Sequence, residues 1–550
     1  MKKLATPLLL ILLLLSGIGA AQGQPDLSPE RLLGTLPVQS GGRMKPLDTL
    51  ARESVRLVTG KVKFEGRNPV LTLLSWWADP EGTKSKELIE FRNLELKKEL
   101  GLDADKRWYS YQQLSDNQRL NEWREEIHKK LRQEEELQGD EQKIQDLLVK
   151  LNVVHAAMDG NLLQAVPNPG GLNEDWGSFA DLQHTDLIEV VQPAAKAVSK
   201  LREAIKSGDQ SRLLSSAQTA RVELSRLGPV PEEKLMAREV NYNQSHPFRR
   251  AWILYLAGLL VLAFVKNSDT RTPGYWVGFS LITAGFLMHI YGFALRSMIS
   301  GRPPVTNMYE SVIWVAFGAV LFALIFELIS SKRYYLMAAS AGAVVCLVLA
   351  DTLPTVLDPS IQPLTPVLRS NFWLTIHVLT ITLGYAAFML ALGLGHIVLW
   401  KCALRPKEET NIASLHDALY RALQVGVLLL AAGTILGGVW ANYSWGRFWG
   451  WDPKEVWALI ALLGYLAILH GRYAGWLRKF GIAAWSVVAF LGVVMAWYGV
   501  NYVLGAGLHS YGFGTGGGKY VAVYVGVEVL YVLWATAKHK GHQLPAAAKE

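Results

Sequence analysis

The residues of this chain best suited to chemistry are histidines placed at different depths of long apolar runs. His377, in NFWLTIHVLTITLGYAAF, lies about two turns inside the N-terminal end of its run. His509, in GLHSYGFGTGGG, lies in a loop just before the last run. His470, in GYLAILHGRY, and His396 sit near the C-terminal ends of theirs, while His289 lies deeper in an earlier one. An ionisable side chain in hydrocarbon is costly, which makes each a functional candidate. A lone membrane histidine is also satisfied by a neighbouring carbonyl, and His470 and His396 are close enough to an interface to snorkel.

The second cluster is aromatic. WGRFWGWDPKEVWALI, residues 445–460, opens a further apolar run. Asp452 is a preferred N-cap, Pro453 a preferred first helical residue, and Glu455 completes a capping box. The acidic pair therefore has a structural reading, which leaves room for a second role. Trp440, Tyr443, Trp445, Phe448, Trp449, Trp451 and Trp457 exceed what interfacial anchoring requires. Rigid aromatic faces suit a large, flat, apolar ligand such as a porphyrin. Arg447, Arg369, Arg302 and the helix beginning at Pro453 are the candidate partners for its carboxylates. Neutral imidazoles on facing helices are the usual axial ligands of haem iron.

The elements that position these residues follow from hydropathy. Nine spans are expected near 250–266, 275–296, 308–330, 335–351, 371–400, 421–440, 454–472, 480–500 and 519–537. The run 371–400 is long for one span and is expected to tilt or to extend past the bilayer. The N-terminus, MKKLATPLLLILLLLSGIGAAQG, reads as a signal peptide or an uncleaved anchor over 1–21. It delivers the polar region 22–249 to the outside. The loops then expected inside carry Lys266, Arg271, Lys332, Arg333, Lys401, Arg405, Lys407, Arg472, Arg478, Lys479, Lys538 and Lys540, a positive-inside bias. His377, His509 and the loop 441–453 then share the outer side, with His289 in the outer half of its span and His470 and His396 near the inner side.

The expected fold is an all-α polytopic membrane protein with a mainly helical extracytoplasmic domain at its N-terminus. The formal net charge of +8 largely reflects topogenic loops and gives no case for nucleic acid. Cys346 and Cys402 are the two cysteines, one in a span and one at an inner edge, so no outer disulfide is expected. The chain contains no C-x-x-C-H for covalent haem of its own. GFGTGGGK fails as a phosphate loop, because Phe513 takes the first glycine position and Tyr520 follows Lys519. The outer region reads as a loop-rich start, with a Gly-Gly turn and a helix opening near Asp48, followed by charged helical stretches around 116–153 and 189–227. His128, His155 and His184 are too scattered for metal spacing. A docking or gating role fits this region.

The tryptophan stretch, together with GYLAILHGRY, resembles the WWD signature of the haem-handling proteins of cytochrome c maturation, most closely the CcsA (ResC) family of System II. ALRSMISGRPPVTNMYESVIW, LPTVLDPSIQPLTPVLRSNFWLTIHV and GLHSYGFG resemble further segments of that family in the same order, so the likeness spans roughly 280–537. The outer domain and first span, 22–249 and 250–279, resemble a shortened CcsB (ResB) partner fused as in CcsBA synthetases. Residues 538–550 are expected to form a cytoplasmic tail.

The resemblance implies a bacterial inner-membrane protein that carries haem b across and displays it, bound non-covalently, to the CXXCH motif of apocytochrome c. It implies His377 and His509 as outer axial ligands, His470 as an inner ligand, and either His396 or His289 as the second inner one. Trp445, Trp449 and Trp451 would hold the ring, with Asp452 and Arg447 beside it. A holocytochrome c synthase activity is implied; the competing readings are a haem exporter or chaperone and a haem-b electron carrier. A thioredoxin-like thiol reductant is the expected partner, and a separate CcsB/ResB-like subunit is a further candidate.

Overall fold

The computed structural model describes residues 28–183, 189–265, 272–330, 332–354, 356–363, 371–406, 409–505, 507 and 517–543. The expectations placed on the segment 1–21, His184, Lys266, Arg271, Arg369, Lys407 and His509 fall outside them. The described residues divide into two units, one within Gln22–Ser245 and one within His246–Glu550.

The first unit begins with α1 (Pro29–Gly34), capped by Ser28, and a hairpin of β1 (Pro37–Ser40) and β2 (Arg43–Pro46). Gly41 and Gly42 both have positive φ, at 61° and 74°, as a tight two-residue turn needs. This hairpin corrects the expectation of a loop-rich start: Val38 is fully buried, so pairing also fills the core. The chain then forms α2 (Leu47–Thr59), which opens where Asp48 was expected to start a helix, and α3 (Pro69–Ala78). The sequence of α3, PVLTLLSWWA, is apolar on nearly every face, and it lies at the centre of the core with Trp76 and Trp77 buried. A second hairpin pairs β3 (Glu87–Glu90) with β4 (Trp108–Ser110). Burial pushes the Glu90 carboxyl up, but hydrogen bonds from Arg92 and Arg107 outweigh it and hold the group below the usual range.

The charged stretches fold as α4 (Gln118–Arg132), α5 (Asp140–Asp159), α6 (Gln192–Ser207) and α7 (Gln210–Ser225). Each turns an apolar stripe inward, such as Ile144, Leu147, Leu148 and Leu151 of α5. The unit ends in α8 (Glu233–Ser245), whose buried Glu239 accepts two hydrogen bonds from Arg43, at 2.9 and 2.7 Å, and one from Thr49 at 2.7 Å. Asn243 adds bonds to Asp48 and Thr49. This polar knot ties the last helix of the unit to its first hairpin.

The second unit is a helical bundle: α9 (Pro247–Phe264), α10 (Pro273–Ser300), α11 (Met308–Ser330), α12 (Tyr334–Thr352), α13 (Asn371–Leu404), α14 (Glu409–Trp445), α15 (Pro453–Tyr473), α16 (Lys479–Val494) and α17 (Gly518–Gln543). Among the described residues, nine helices are long and apolar enough to cross a membrane, with mean hydropathy of 1.4 to 2.6. They match the expected spans in number and order. The run from 371 is one unbroken helix of 34 residues, roughly 51 Å long, and α14 has 37 residues. Both exceed the roughly 30 Å hydrocarbon thickness, so they tilt or project beyond it. Cys346 and Cys402 are buried free thiols on α12 and α13.

Helices α13 and α14 pack closely because glycines on each let the facing backbone approach. A Cβ on Gly384 would meet the Leu430 backbone nitrogen at 2.9 Å, and one on Gly433 would meet the Ile381 backbone at 2.7 Å. After α16 the helix continues as a π segment, Met495–Leu504, which shifts the side-chain register at the end of this helix.

Candidate functional site

The end of the bundle that carries the tryptophan-rich loop contains a cleft. Helix α13 supplies His377, Ile381 and Tyr385, spaced four residues apart on one face, and α14 supplies Thr434, Gly437, Gly438 and Trp440. The loop adds Phe448 and Trp449, α15 adds Lys454, Glu455 and Ala458, and the π segment adds Trp497 and Asn501. Val305–Met308 and Ser311 close another side. The cleft encloses about 1060 Å³ with its open mouth included, and the wall is mostly apolar. That composition suits a large, mainly hydrophobic ligand held by a few fixed polar groups.

Among the described residues, His377 is the histidine that lines this wall. Its Nδ1 lies 2.8 Å from the Gly433 carbonyl oxygen. A carbonyl only accepts, so Nδ1 carries the proton and Nε2 is the basic nitrogen. Metal-ligating histidines are commonly fixed in this way, by donating the other ring N–H to a carbonyl. The ring stacks on buried Trp440 at 8° between planes, and Gly437 makes room for it: a Cβ there would lie 2.6 Å from His377 Cε1.

The tryptophan loop is built by its own capping chemistry. Helix α14 ends at Gly446, whose φ of 72° is the left-handed conformation glycine adopts without strain. Asp452 Oδ1 accepts from the Lys454 N–H at 3.0 Å, and Glu455 Oε2 accepts from the N–H groups of Asp452 and Gly450. The capping box expected from the sequence is therefore present. Arg447 donates to Glu455 Oε1 at 3.1 Å, which fastens the loop to the first turn of α15. Trp451 sits at φ 58°, a conformation uncommon for a residue with a side chain, held between this cap and the loop.

The loop tryptophans part company. Trp449 lines the cleft, while Trp451 is 71% exposed and meets it edge-on, at 5.9 Å and 89°. Trp445 packs behind the wall against Trp440, at 4.6 Å. Asp452 and Arg447 shape the rim rather than the wall.

The remaining histidines lie elsewhere. His470 is on the exposed surface of the last turn of α15, its Nδ1 donating to the Leu466 carbonyl at 2.7 Å. His396 donates from Nδ1 to the Leu392 carbonyl at 2.8 Å, and its Nε2 lies 2.8 Å from Glu528 Oε2 on α17. Both its nitrogens are engaged. His289 is fully buried, stacked on Phe293 at 5.1 Å, with Phe248 and Phe317 edge-on and the Tyr255 hydroxyl 3.2 Å from Nδ1. In the first unit, His155 pairs with Asp159 across 3.3 Å. No group of three or more potential metal ligands occurs among the described residues.

Several wall residues were not singled out from the sequence: Tyr385, Lys454, Trp497 and Asn501. Trp497 donates from Nε1 to Ser311 Oγ at 2.8 Å, joining the π segment to α11. The wall segment 305–311 is itself fixed by a fully buried ion pair. Arg296 meets Glu310 Oε1 at 2.8 Å and donates to the carbonyls of Pro359 and Ser360, while Glu310 Oε2 accepts from Thr306 N–H and Oγ1. An arginine and a glutamate in two successive apolar runs were the sequence signal for this pair.

The model of the family described as "Cytochrome C assembly protein" matches residues 305–509, a stretch that contains most of the cleft wall. The cytochrome c biogenesis protein CcsA of Synechococcus sp. (strain CC9902) is 34% identical over 294 residues, covering 48% of this chain and 94% of that protein. The chain belongs to the CcsA family of cytochrome c biogenesis proteins. CcsA of Chlorella vulgaris is also 34% identical, over 257 residues, or 40% of this chain and 80% of that protein. Similarity to the protein NrfI of Wolinella succinogenes extends further along the chain, at 29% identity over 518 residues and 90% of the chain. The chain spans 55% of the length of NrfI. The family-model match at 305–509 lies within the second unit, and a match to NrfI over 90% of the chain takes in much of the first unit as well.

Proposed function

We propose that this CcsA-family chain holds haem b in the His377 cleft and presents it, on the outer face of a bacterial inner membrane, for covalent attachment to the CXXCH motif of apocytochrome c. The observation that carries this reading is His377: its Nδ1–H is committed to the Gly433 carbonyl, so its basic nitrogen is Nε2, at the wall of an aromatic-lined cleft. Axial ligation of iron needs such an imidazole, and the ring plane needs apolar faces such as Phe448 and Trp449. His509 is the second outer ligand. It follows Gly507 by two residues, and Gly507 abuts the helix cap so closely that a Cβ there would meet Asp452 Oδ2 at 2.2 Å. His470 is the inner ligand on the path of haem across the membrane, and its exposed position suits a site completed by a partner helix. His289 is the second inner candidate, because the His396 imidazole is already paired with Glu528.

The chain's part in the chemistry is to orient the haem. Each apocytochrome thiol adds across one haem vinyl double bond: a C–S bond forms, the thiol proton ends on the adjacent vinyl carbon, and no net electrons are consumed. Holding the ring by one edge against a fixed imidazole and an aromatic corner places the vinyl groups before the docked peptide. The unit at 22–249 acts as the CcsB-like docking domain, outside the membrane, with the basic loops and the 538–550 tail inside. The apocytochrome thiols are kept reduced by a thioredoxin-like partner, and a separate CcsB/ResB-like subunit completes the assembly if the fused domain is not sufficient.

Co-expression with an apocytochrome c in a host lacking its own maturation genes tests this. Covalent haem on the cytochrome is the expected result. Haem bound to the chain with no product would instead make it an exporter or chaperone, and redox cycling of bound haem without transfer would make it an electron carrier.

A further inference from the structure

The wall of the cleft carries a buried hydroxyl that the chain itself does not use. Tyr385 lies on α13 about two turns beyond His377, roughly 12 Å further along the helix and away from the end that bears the tryptophan-rich loop. The residue is 3% exposed, and its ring meets that of Trp497 at 6.1 Å and 39°. Among the described residues its hydroxyl has no hydrogen-bond partner, and it is not one of the buried polar atoms shut off from open space. Tyr385 lines the cleft, so the hydroxyl opens onto its floor. Polar groups around it are engaged within the chain: Trp497 donates to Ser311 Oγ, Thr382 to the Val378 carbonyl and Thr434 to the Leu430 carbonyl. A phenolic hydroxyl in mostly apolar surroundings is unfavourable without an acceptor, so this wall favours a ligand that brings one.

We infer that the Tyr385 hydroxyl donates to a propionate of the porphyrin, which turns the acid edge of the ring toward the floor of the cleft and the vinyl edge toward its mouth. This deepens the haem reading and rests on it. Two features select the propionate. Tyr385 enters the cleft from the same helix as His377, so it stands on the side of the iron ligand and cannot serve a group bound to the far face of the iron. It is also two turns away from His377, which brings it to the edge of the ring rather than to its centre. At that edge the vinyl and methyl groups are apolar, and the propionates are the acceptors. Tyr385 is thus a specificity residue that sets which edge of the ring is left for the apocytochrome thiols.

The test is a titration of the purified full-length chain in detergent, wild type and Tyr385→Phe, followed by the Soret band and tryptophan quenching. Three iron(III) porphyrins are compared: protoporphyrin IX, mesoporphyrin IX, which keeps the propionates but has ethyl groups for vinyls, and etioporphyrin, which has neither. Tyr385→Phe should weaken the first two alike, by about tenfold or more, the scale of a hydrogen bond to a charged group. Etioporphyrin binding and the Soret positions should stay unchanged. The melting temperature of the empty chain should also hold, because the lost hydroxyl bonds nothing within the chain. Equal weakening of all three porphyrins, no weakening of any, weakening of protoporphyrin alone, or a clear loss of stability would each overturn the inference. If no porphyrin gives a Soret band that responds to His377→Ala, the haem reading fails first and the inference falls with it, a result distinct from the others.

Discussion

His377 and His289 belong to one helical bundle, yet one borders an open cleft and the other is walled in by rings. His377 has one nitrogen fixed by the Gly433 carbonyl and stands beside Trp449 and Phe448. His289 has no exposed surface, and Phe248, Phe293 and Phe317 surround it. Both meet the sequence criterion of an ionisable group inside an apolar run. Depth in hydrocarbon therefore identifies residues that need a partner but not the kind of partner. The surroundings of the two rings differ: His377 stands beside open space, whereas His289 is met by the Tyr255 hydroxyl and close-packed rings.

The largest effect expected on this contrast comes from Glu310→Ala. It leaves the Arg296 guanidinium buried without its carboxylate, a loss of about 3–5 kcal/mol. The melting temperature should fall steeply, and haem should be lost from the cleft because Val305–Ser311 is released from its wall. Retained stability would mean that the ion pair does not anchor that wall. Gly437→Ala should act on the cleft alone. The new Cβ would lie 2.6 Å from His377 Cε1 and displace the ring, lowering haem affinity by about tenfold or more while helicity stays the same. Unchanged affinity would mean that the ring can move without consequence. The smallest effect on the cleft is expected from His289→Phe, which keeps a ring in place but takes the ring nitrogen from the buried Tyr255 hydroxyl, at a cost of about 1–3 kcal/mol in stability. Haem count per chain should drop only if His289 is the second inner ligand, so this variant decides its role.

Much of this was legible in the sequence, and the losses have physical reasons. The spans and the capping box at Asp452–Glu455 follow from local rules of hydropathy and capping, whereas cost in hydrocarbon marks His377 only as one candidate among several histidines. The first hairpin was missed because PVQSGGRMKP is short and polar, and its strand pairing is supported by packing of Val38 rather than by alternation. Trp497 and Asn501 were missed because the π segment changes which residues share a face, and a period of 3.6 does not predict that. Tyr385 is one more residue on the His377 stripe, recognisable only once the cleft is known. The tryptophan stretch reads as one motif but divides by position. Trp449 faces the cleft, Trp445 supports Trp440 behind it, and Trp451 is exposed at an unusual φ.

The central claim is that His377 Nε2 ligates haem iron in the cleft. The most direct measurement is the reduced and oxidised spectrum of the purified full-length chain carrying His377→Gly, with and without added imidazole. The account predicts loss of the outer haem signal in the variant and its return, with bis-imidazole character, when imidazole fills the vacated space. A variant that keeps the wild-type haem content and spectrum without imidazole would contradict it.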